Sequence, residues 1–146
     1  MATAVYKRVR RLNVEESAYI AGIIDGEGSI TLDTKQKGGN KHLALHVSNT
    51  DRVLLEYLQK IIGAGKIITK RTYKPHHKPA YAYSIHNRQA LAVLEQIVLY
   101  LRTYKLRRAK IALARYILVT PRNGKYDDIL HKKREMFVQQ FLSIVQ

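Results

Sequence analysis

The sequence predicts an α+β fold: an αββαββα core in which a four-stranded antiparallel sheet is covered by helices on one face. Three observations lead there. Apolar residues switch from helical spacing to alternation at Ser29, and a second strand-like stretch begins at Lys66. Two turn signals, Gly38-Gly39-Asn40 and Lys74-Pro75-His76-His77-Lys78-Pro79, each split an alternating stretch into a hairpin. The two resulting α-β-β units have the same layout, so their hairpins can join into one sheet.

The elements follow in order. Residues 1–12 read as a basic arm with Lys7, Arg8, Arg10 and Arg11. A helix runs from about Val14 to Ile24, where Asn13 can cap it and Glu15 and Glu16 suit its first turn. Its apolar content stops at Gly26 and Gly28. From Ser29 to Lys37, Ile30 and Leu32 alternate with Thr31, Asp33 and Lys35, as in a half-buried strand. From His42 to Asn49, Leu43, Leu45 and Val47 fall on one face and His42, Ala44, His46 and Ser48 on the other.

Asp51 opens a second helix, with Val53, Leu54, Leu55, Leu58, Ile61 and Ile62 at helical spacing and Gly63 at its end. Lys66 to Tyr73 and Ala80 to His86 form the second hairpin, and Ile67-Ile68 leaves the parity of the third strand open. Asn87 is the cap expected for a helix reaching Leu101. Leu106 to Val119 forms another, broken by Pro121-Arg122-Asn123-Gly124, and Asp127 to Val145 is the last. Residues 1–146 are expected to form a single domain, with residues 120–146 as a C-terminal helical extension.

Net charge is +15. Between Thr34 and Tyr126 nineteen Lys and Arg residues face three acids, Asp51, Glu56 and Glu95. Such an excess points to a polyanionic partner, with double-stranded DNA or other nucleic acid first and an anionic membrane surface second. The exposed strand face, with Thr31, Asp33, Lys35, His42, His46, Lys70 and Ser84, has the polar and basic character of a groove reader. The ten tyrosines add little, because most read as core-facing. There is no cysteine, which removes disulfides and thiol chemistry and suits a reducing interior. No apolar run reaches the roughly 18 residues of a membrane span, and the basic start is no secretory signal. An intracellular location, cytoplasmic or organellar, is expected.

One nonapeptide stands apart: Ile20-Ala21-Gly22-Ile23-Ile24-Asp25-Gly26-Glu27-Gly28. It places two carboxylates at a helix C-terminus, where the partial negative charge favours cations. A local rule broken without local gain often marks a functional site. Ala18, Gly22 and Gly26 fall at i, i+4 and i+8 and form one small-residue ridge, along which a second helix can approach closely. That helix belongs either to this chain or to a second copy. A two-fold contact would set two Glu27 carboxylates side by side, repelling each other unless divalent cations neutralised them. The free carbonyl of Gly26 is a further candidate ligand.

This nonapeptide resembles the signature of the LAGLIDADG homing endonucleases. Seven of its nine positions fit identically or by Leu/Ile exchange, while Gly26 replaces an alanine and Glu27 the second aspartate. The αββαββα order also matches the family core. The resemblance implies that Glu27 binds the divalent metal, Mg²⁺ or Mn²⁺, that the Gly26 carbonyl helps, and that Asp25 closes the helix end. It further implies that Asn49, after the second strand, and Lys105, at the head of the helix following the third one, flank the scissile phosphate. Arg52 is a candidate for a nearby arginine, although its spacing departs from the family pattern.

One signature per chain implies a homodimer and a near-palindromic target. A strand of about nine residues spans roughly 30 Å, or about nine base pairs, so two half-sites give a target of roughly 18–22 base pairs. Base readout is expected from Thr31, Asp33, Lys35, Lys37, His42, His46, Lys66, Lys70, Thr72, Ser84 and His86. Arg71, Lys74 and Lys78 are expected on phosphates, as are Arg107, Arg108, Lys110 and Arg115. The reaction implied is site-specific double-strand cleavage in intron homing. Two other activities fit the same fold: a group I intron RNA maturase, which would bind intron RNA, and a non-catalytic DNA-binding regulator. His76-His77 and His86-Asn87 lack metal-nuclease spacing and read as loop and surface residues.

Overall fold

Side-chain caps open three of the five described α-helices. In the computed structural model, which describes residues 6–70, 76 and 78–146, α1 spans Val14–Glu27. Its Asn13 side chain accepts from the Glu16 amide at 2.8 Å while Glu16 accepts from the Asn13 amide at 3.0 Å, a reciprocal capping box. Then come β1 (Gly28–Thr34), β2 (Lys41–Asn49), α2 (Arg52–Ile62), β3 (Lys66–Lys70), β4 (Ala80–His86), α3 (Asn87–Ile97), α4 (Lys105–Arg115) and α5 (Asp128–Ser143). Asp51 caps α2 through the Val53 amide, and Asp127 caps α5 through the Leu130 amide. Gly63 closes α2 in the left-handed conformation, at φ +80°.

The α+β order is the one expected, and four boundaries move. The first helix runs three residues beyond Ile24, through Asp25 to Glu27. The first strand ends at Thr34, so Lys35 and Lys37 lie in the hairpin turn rather than on the strand. Gly39 donates back to the Gln36 carbonyl there at 2.9 Å. The third and fourth helices each tighten into a 3-10 turn, at Val98–Tyr100 and Ile117–Val119. Asn87 is no cap. It has φ +55°, and its Oδ1 accepts from the Tyr116 hydroxyl at 2.6 Å, so no side chain caps α3.

The strands form one antiparallel sheet in the order β1-β2-β4-β3. Ile30, Leu32, Leu43, Leu45, Val47, Tyr83 and Ile85 are buried against the helices. The register also settles β3. Lys66, Ile68 and Lys70 pair with Ser84, Ala82 and Ala80 on the open face, and Ile67 pairs with Tyr83 on the core face. On the helical side, Ile20, Ala21 and Ile24 of α1, Leu55, Leu58 and Ile62 of α2, and Leu94 and Ile97 of α3 complete the core.

The tyrosines divide differently from the expectation. Tyr83 and Tyr116 are buried, but Tyr6, Tyr19 and Tyr57 are exposed. Tyr19 and Tyr57 instead meet edge to face at 5.5 Å, bridging α1 and α2 at the surface. The basic arm is not free along its described part. The Arg10 amide donates to the Ile62 carbonyl, and the Leu12 amide to the Gln96 side chain at 2.7 Å.

The C-terminal helix is tied to the sheet. Phe137 and Phe141 are fully buried. Arg134, also buried, donates to the carbonyls of Val119 and Lys41 and to the Thr120 hydroxyl. Its guanidinium lies over the rings of Tyr116 and Tyr126. Beyond the last β2–β4 rung, Ala44–His86, the Leu43 amide has no strand to bond and donates to the Tyr116 hydroxyl at 3.2 Å.

Gly28, where α1 turns directly into β1, has no room for a side chain. A Cβ there would lie 2.8 Å from the Ile24 Cα and 3.1 Å from the His46 carbonyl oxygen, both backbone atoms. Gly28→Ala is therefore expected to destabilise the fold by about 1–3 kcal/mol, as urea unfolding would show.

Candidate active site and nucleic-acid interface

The last turn of α1 solves its electrostatic problem with groups from 80 residues downstream. Lys105, the first residue of α4, is buried, and its ammonium donates to the carbonyls of Ile24 at 2.9 Å and Asp25 at 3.0 Å. A cation thus occupies the negative end of the helix, although α1 has no basic residue in its own last turn. Burial pushes the Lys105 pKa below its ordinary value, and the Asp25 carboxylate works against that shift.

Asp25 turns away from the helix axis. Its Oδ2 accepts from the Arg102 amide at 2.8 Å, and its Oδ1 from the Thr103 amide at 3.1 Å and the Thr103 hydroxyl at 2.6 Å. Burial acts to raise the Asp25 pKa. The Thr103 hydroxyl, the two amides and the Lys105 ammonium outweigh it, and the carboxyl titrates below its ordinary value of 3.8. Asp25 therefore latches the approach to α4 and so aims Lys105.

Glu27 is different: it is exposed. The Asn49 side-chain amide donates to its Oε2 at 2.7 Å, and the Asn49 carbonyl oxygen accepts from the Asp51 amide at 2.7 Å. Asn49 is thereby fixed at the α2 cap and holds one carboxylate oxygen, while Oε1 has no partner among the described residues. The helix ends at Glu27, so the Gly26 carbonyl has no amide four residues on within it. Arg52 pairs with Glu56 at 3.0 Å and lies over the Tyr81 ring rather than at this site.

Ala18, Gly22 and Gly26 are all exposed along one side of α1. A Cβ added at Gly22 or Gly26 would meet nothing within 4 Å. Among the described residues, no helix of this chain covers the ridge.

The open sheet face carries Thr31, Asp33, His42, His46, Ser84, His86, Lys66 and Lys70, as the alternation implied. Lys35 and Lys37 are exposed beside it in the turn, and Arg71 and Thr72 lie outside the described residues, as do Lys74 and His77. His76 is exposed.

Not anticipated is how several of these side chains are already engaged. His46 Nε2 stands 2.5 Å from Asp33 Oδ2, and its Nδ1 is 2.8 Å from the Ser84 hydroxyl. His86 Nε2 lies 3.5 Å from the same Asp33 oxygen. Asp33 is thus held by two histidines through one carboxylate oxygen. Burial, then the His46 ring, lowers the His86 pKa although Asp33 opposes them. Alternation placed these residues on one face, but only the register across three strands brings them together.

Three arginines of the basic helix α4 carry contacts within the chain. Arg108 donates to the carbonyls of Ile30 and Ile144, Arg107 reaches the Val145 carbonyl, and Arg115 the Gln140 side chain. These arginines hold α5 and the outer edge of β1. Lys110 remains exposed.

Asp25→Asn removes the charge that three donors and Lys105 face, and is expected to lower stability by about 1–2 kcal/mol at neutral pH. Because the folded carboxyl titrates below the unfolded one, its contribution is complete above pH 3.8 and lost as pH falls through the folded value. Unfolding curves of wild type and variant should converge there.

The comparisons with known proteins bear on this arrangement directly. The sequence matches the profile of the LAGLIDADG endonucleases over residues 20–128. The homing endonuclease I-CvuI, solved with its target in the presence of Ca, superposes with a TM-score of 0.73 at 20% identity, covering 90% of this chain and 83% of that one. The archaeal intron-encoded homing endonuclease I-Vdi141I, complexed with DNA, gives 0.58 at 16% identity, with 90% and 85% covered. For the LAGLIDADG homing endonuclease I-GzeII in complex with a DNA target, the TM-score is 0.63 at 16% identity, and 89% of this chain spans 45% of that one. At these identities the superpositions establish a common fold. The profile match extends over more than half the chain and includes the acidic end of α1, and with it the chain belongs to the LAGLIDADG endonuclease family.

Proposed function

We propose that this protein is a site-specific double-strand DNA endonuclease of the intron-homing type, acting as a homodimer on a long near-palindromic target. The observation that carries the proposal is Glu27. It is an exposed carboxylate, steadied by Asn49 at the foot of a small-residue ridge that no described helix of its own chain covers. Two such ridges packed about a two-fold axis would bring two Glu27 side chains together. The solved relatives support the reading by analogy, since those above are complexes with DNA. One of them is long enough to hold two units of this size.

The donor set suits a hard divalent ion. One free carboxylate oxygen and the carbonyl of Gly26, all oxygen, match Mg²⁺ or Mn²⁺, which keep much of their coordination for water and phosphate. When bound, such an ion supplies charge neutralisation and water activation for phosphodiester hydrolysis. The chain's own residues do the rest. Asn49 orients Glu27. Asp25 and Thr103 position Lys105, whose ammonium stands on the carbonyls of Ile24 and Asp25. That placement suits stabilising charge on a phosphate beside Glu27.

The sheet face supplies recognition. β2 is nine residues long, about 30 Å, enough to follow roughly nine base pairs of one half-site. Thr31, His42, Lys66 and Lys70 present side chains toward the groove, and Lys35 and Lys37 reach from the turn. The described residues act as one domain in this reading. No described helix is long and apolar enough to cross a membrane.

The test is cleavage of randomised duplexes of about 24 base pairs in Mg²⁺, with cut ends sequenced. Wild type should yield ends sharing one near-palindromic site. Glu27→Gln should keep binding and lose cutting by about a thousand-fold or more. Full activity in that variant sinks the assignment, and binding without cutting in wild type turns attention to RNA and to a maturase or regulator role. Gly22→Leu meets open space within its own chain, so it should fold yet sediment as a monomer and fail to cut both strands.

A further inference from the structure

We propose that Asp33, His46 and His86 form a binding site for a transition-metal ion, Zn²⁺ above all, on the open face of the sheet and separate from the carboxylate at Glu27. Their ligating atoms, one carboxylate oxygen and two imidazole nitrogens, all lie within 4.8 Å of one another. Both Nε2 atoms converge on a single oxygen, Asp33 Oδ2, at 2.5 and 3.5 Å. Ligands around a tetrahedral Zn²⁺ stand about 3.3 Å apart, so a modest opening of the His46–Asp33 contact admits the ion.

Three further features favour a metal. The ligands come from three neighbouring strands, β1, β2 and β4, whose ladders fix their spacing. Between them in register lies Ala44, fully buried although it stands on the open face, so the side chains around it close over this small floor and are held near one another. His46 also has an outer partner. With its Nδ1 proton donated to the Ser84 hydroxyl, its Nε2 lone pair turns toward the ligand cluster, the arrangement that orients metal-binding histidines. Metal binding then opens the His46–Asp33 contact and takes the neutral ring with its proton on Nδ1 rather than Nε2.

The donor chemistry selects the ion. Mg²⁺ takes oxygen ligands and dehydrates reluctantly, whereas two imidazoles and a carboxylate suit Zn²⁺. Three protein ligands leave a coordination position open, on the side facing away from the helices. There it can meet a base acceptor such as purine N7 in the major groove. That use in reading DNA rests on the function proposed above; the binding of metal does not.

The deciding experiment therefore contains no DNA. Full-length protein, stripped with EDTA, competes with a chromophoric chelator for Zn²⁺ in excess Mg²⁺. One Zn²⁺ per chain is expected, together with a rise in melting temperature. His46→Gln or His86→Gln should weaken binding by about 100-fold or more, while His131→Gln, which removes a surface His–Glu pair, leaves it unchanged. In the wild-type protein, the Nε2 resonances of His46 and His86 should shift on adding Zn²⁺, a readout independent of any variant. No competition, binding that survives the double variant His46→Gln/His86→Gln, or unmoved Nε2 resonances would each overturn the site.

Discussion

A helix that ends in carboxylates must be neutralised from elsewhere, and here Lys105 does it. Its ammonium sits on the last carbonyls of α1, and Asp25 in turn accepts three hydrogen bonds from the segment that delivers Lys105. The two residues hold each other's elements. Because Asp25 spends its charge on two amides and a hydroxyl of its own chain, Glu27 is left as the acid with a free oxygen. The division of labour between neighbouring carboxylates follows from environment rather than chemical type. Gly28 then lets the chain pass from helix to strand against the Ile24 backbone, which fixes Glu27 at the sheet's end.

The sheet has its own unmet groups, and arginines meet them. β1 is an edge strand whose outward carbonyl at Ile30 accepts from Arg108, and β2 runs past its partner until Arg134 takes the Lys41 carbonyl. Neither arginine has a carboxylate partner in the described structure; carbonyls, the Thr120 hydroxyl and aromatic rings take their place, and the buried Arg134 Nε has no hydrogen-bond partner among the described residues. Part of the large positive charge is consequently structural. A tally of basic residues therefore overstates what is available to a polyanion, although the lysines of the open face and turn remain accessible.

The open face is more organised than a solvated surface. Asp33, His46, Ser84 and His86 form a connected polar network at its centre, flanked by lysines. Such a network limits which side chains are free to contact a groove, and it sets the rigid centre around which Thr31, His42, Lys66 and Lys70 are arranged. Ile68, exposed on the same face, adds an apolar contact point.

The sequence by itself determined the element types, the hairpins and the acidic helix end, because each depends on short-range periodicity, capping and turn chemistry. It could not fix the ends of β1 or of the third and fourth helices, since strand pairing and packing decide where alternation and helical spacing stop mattering. Asn87 shows the limit clearly: a good cap by type, it has a positive φ, and its side chain accepts from Tyr116, far along the chain. Only the tertiary structure set the parity of β3, through rungs to β4, and only it joined Asp33 to His46 and His86 across three strands. It also decided that Arg108 and Arg134 face inward. These are contacts between residues distant in sequence, and local spacing carries no record of them.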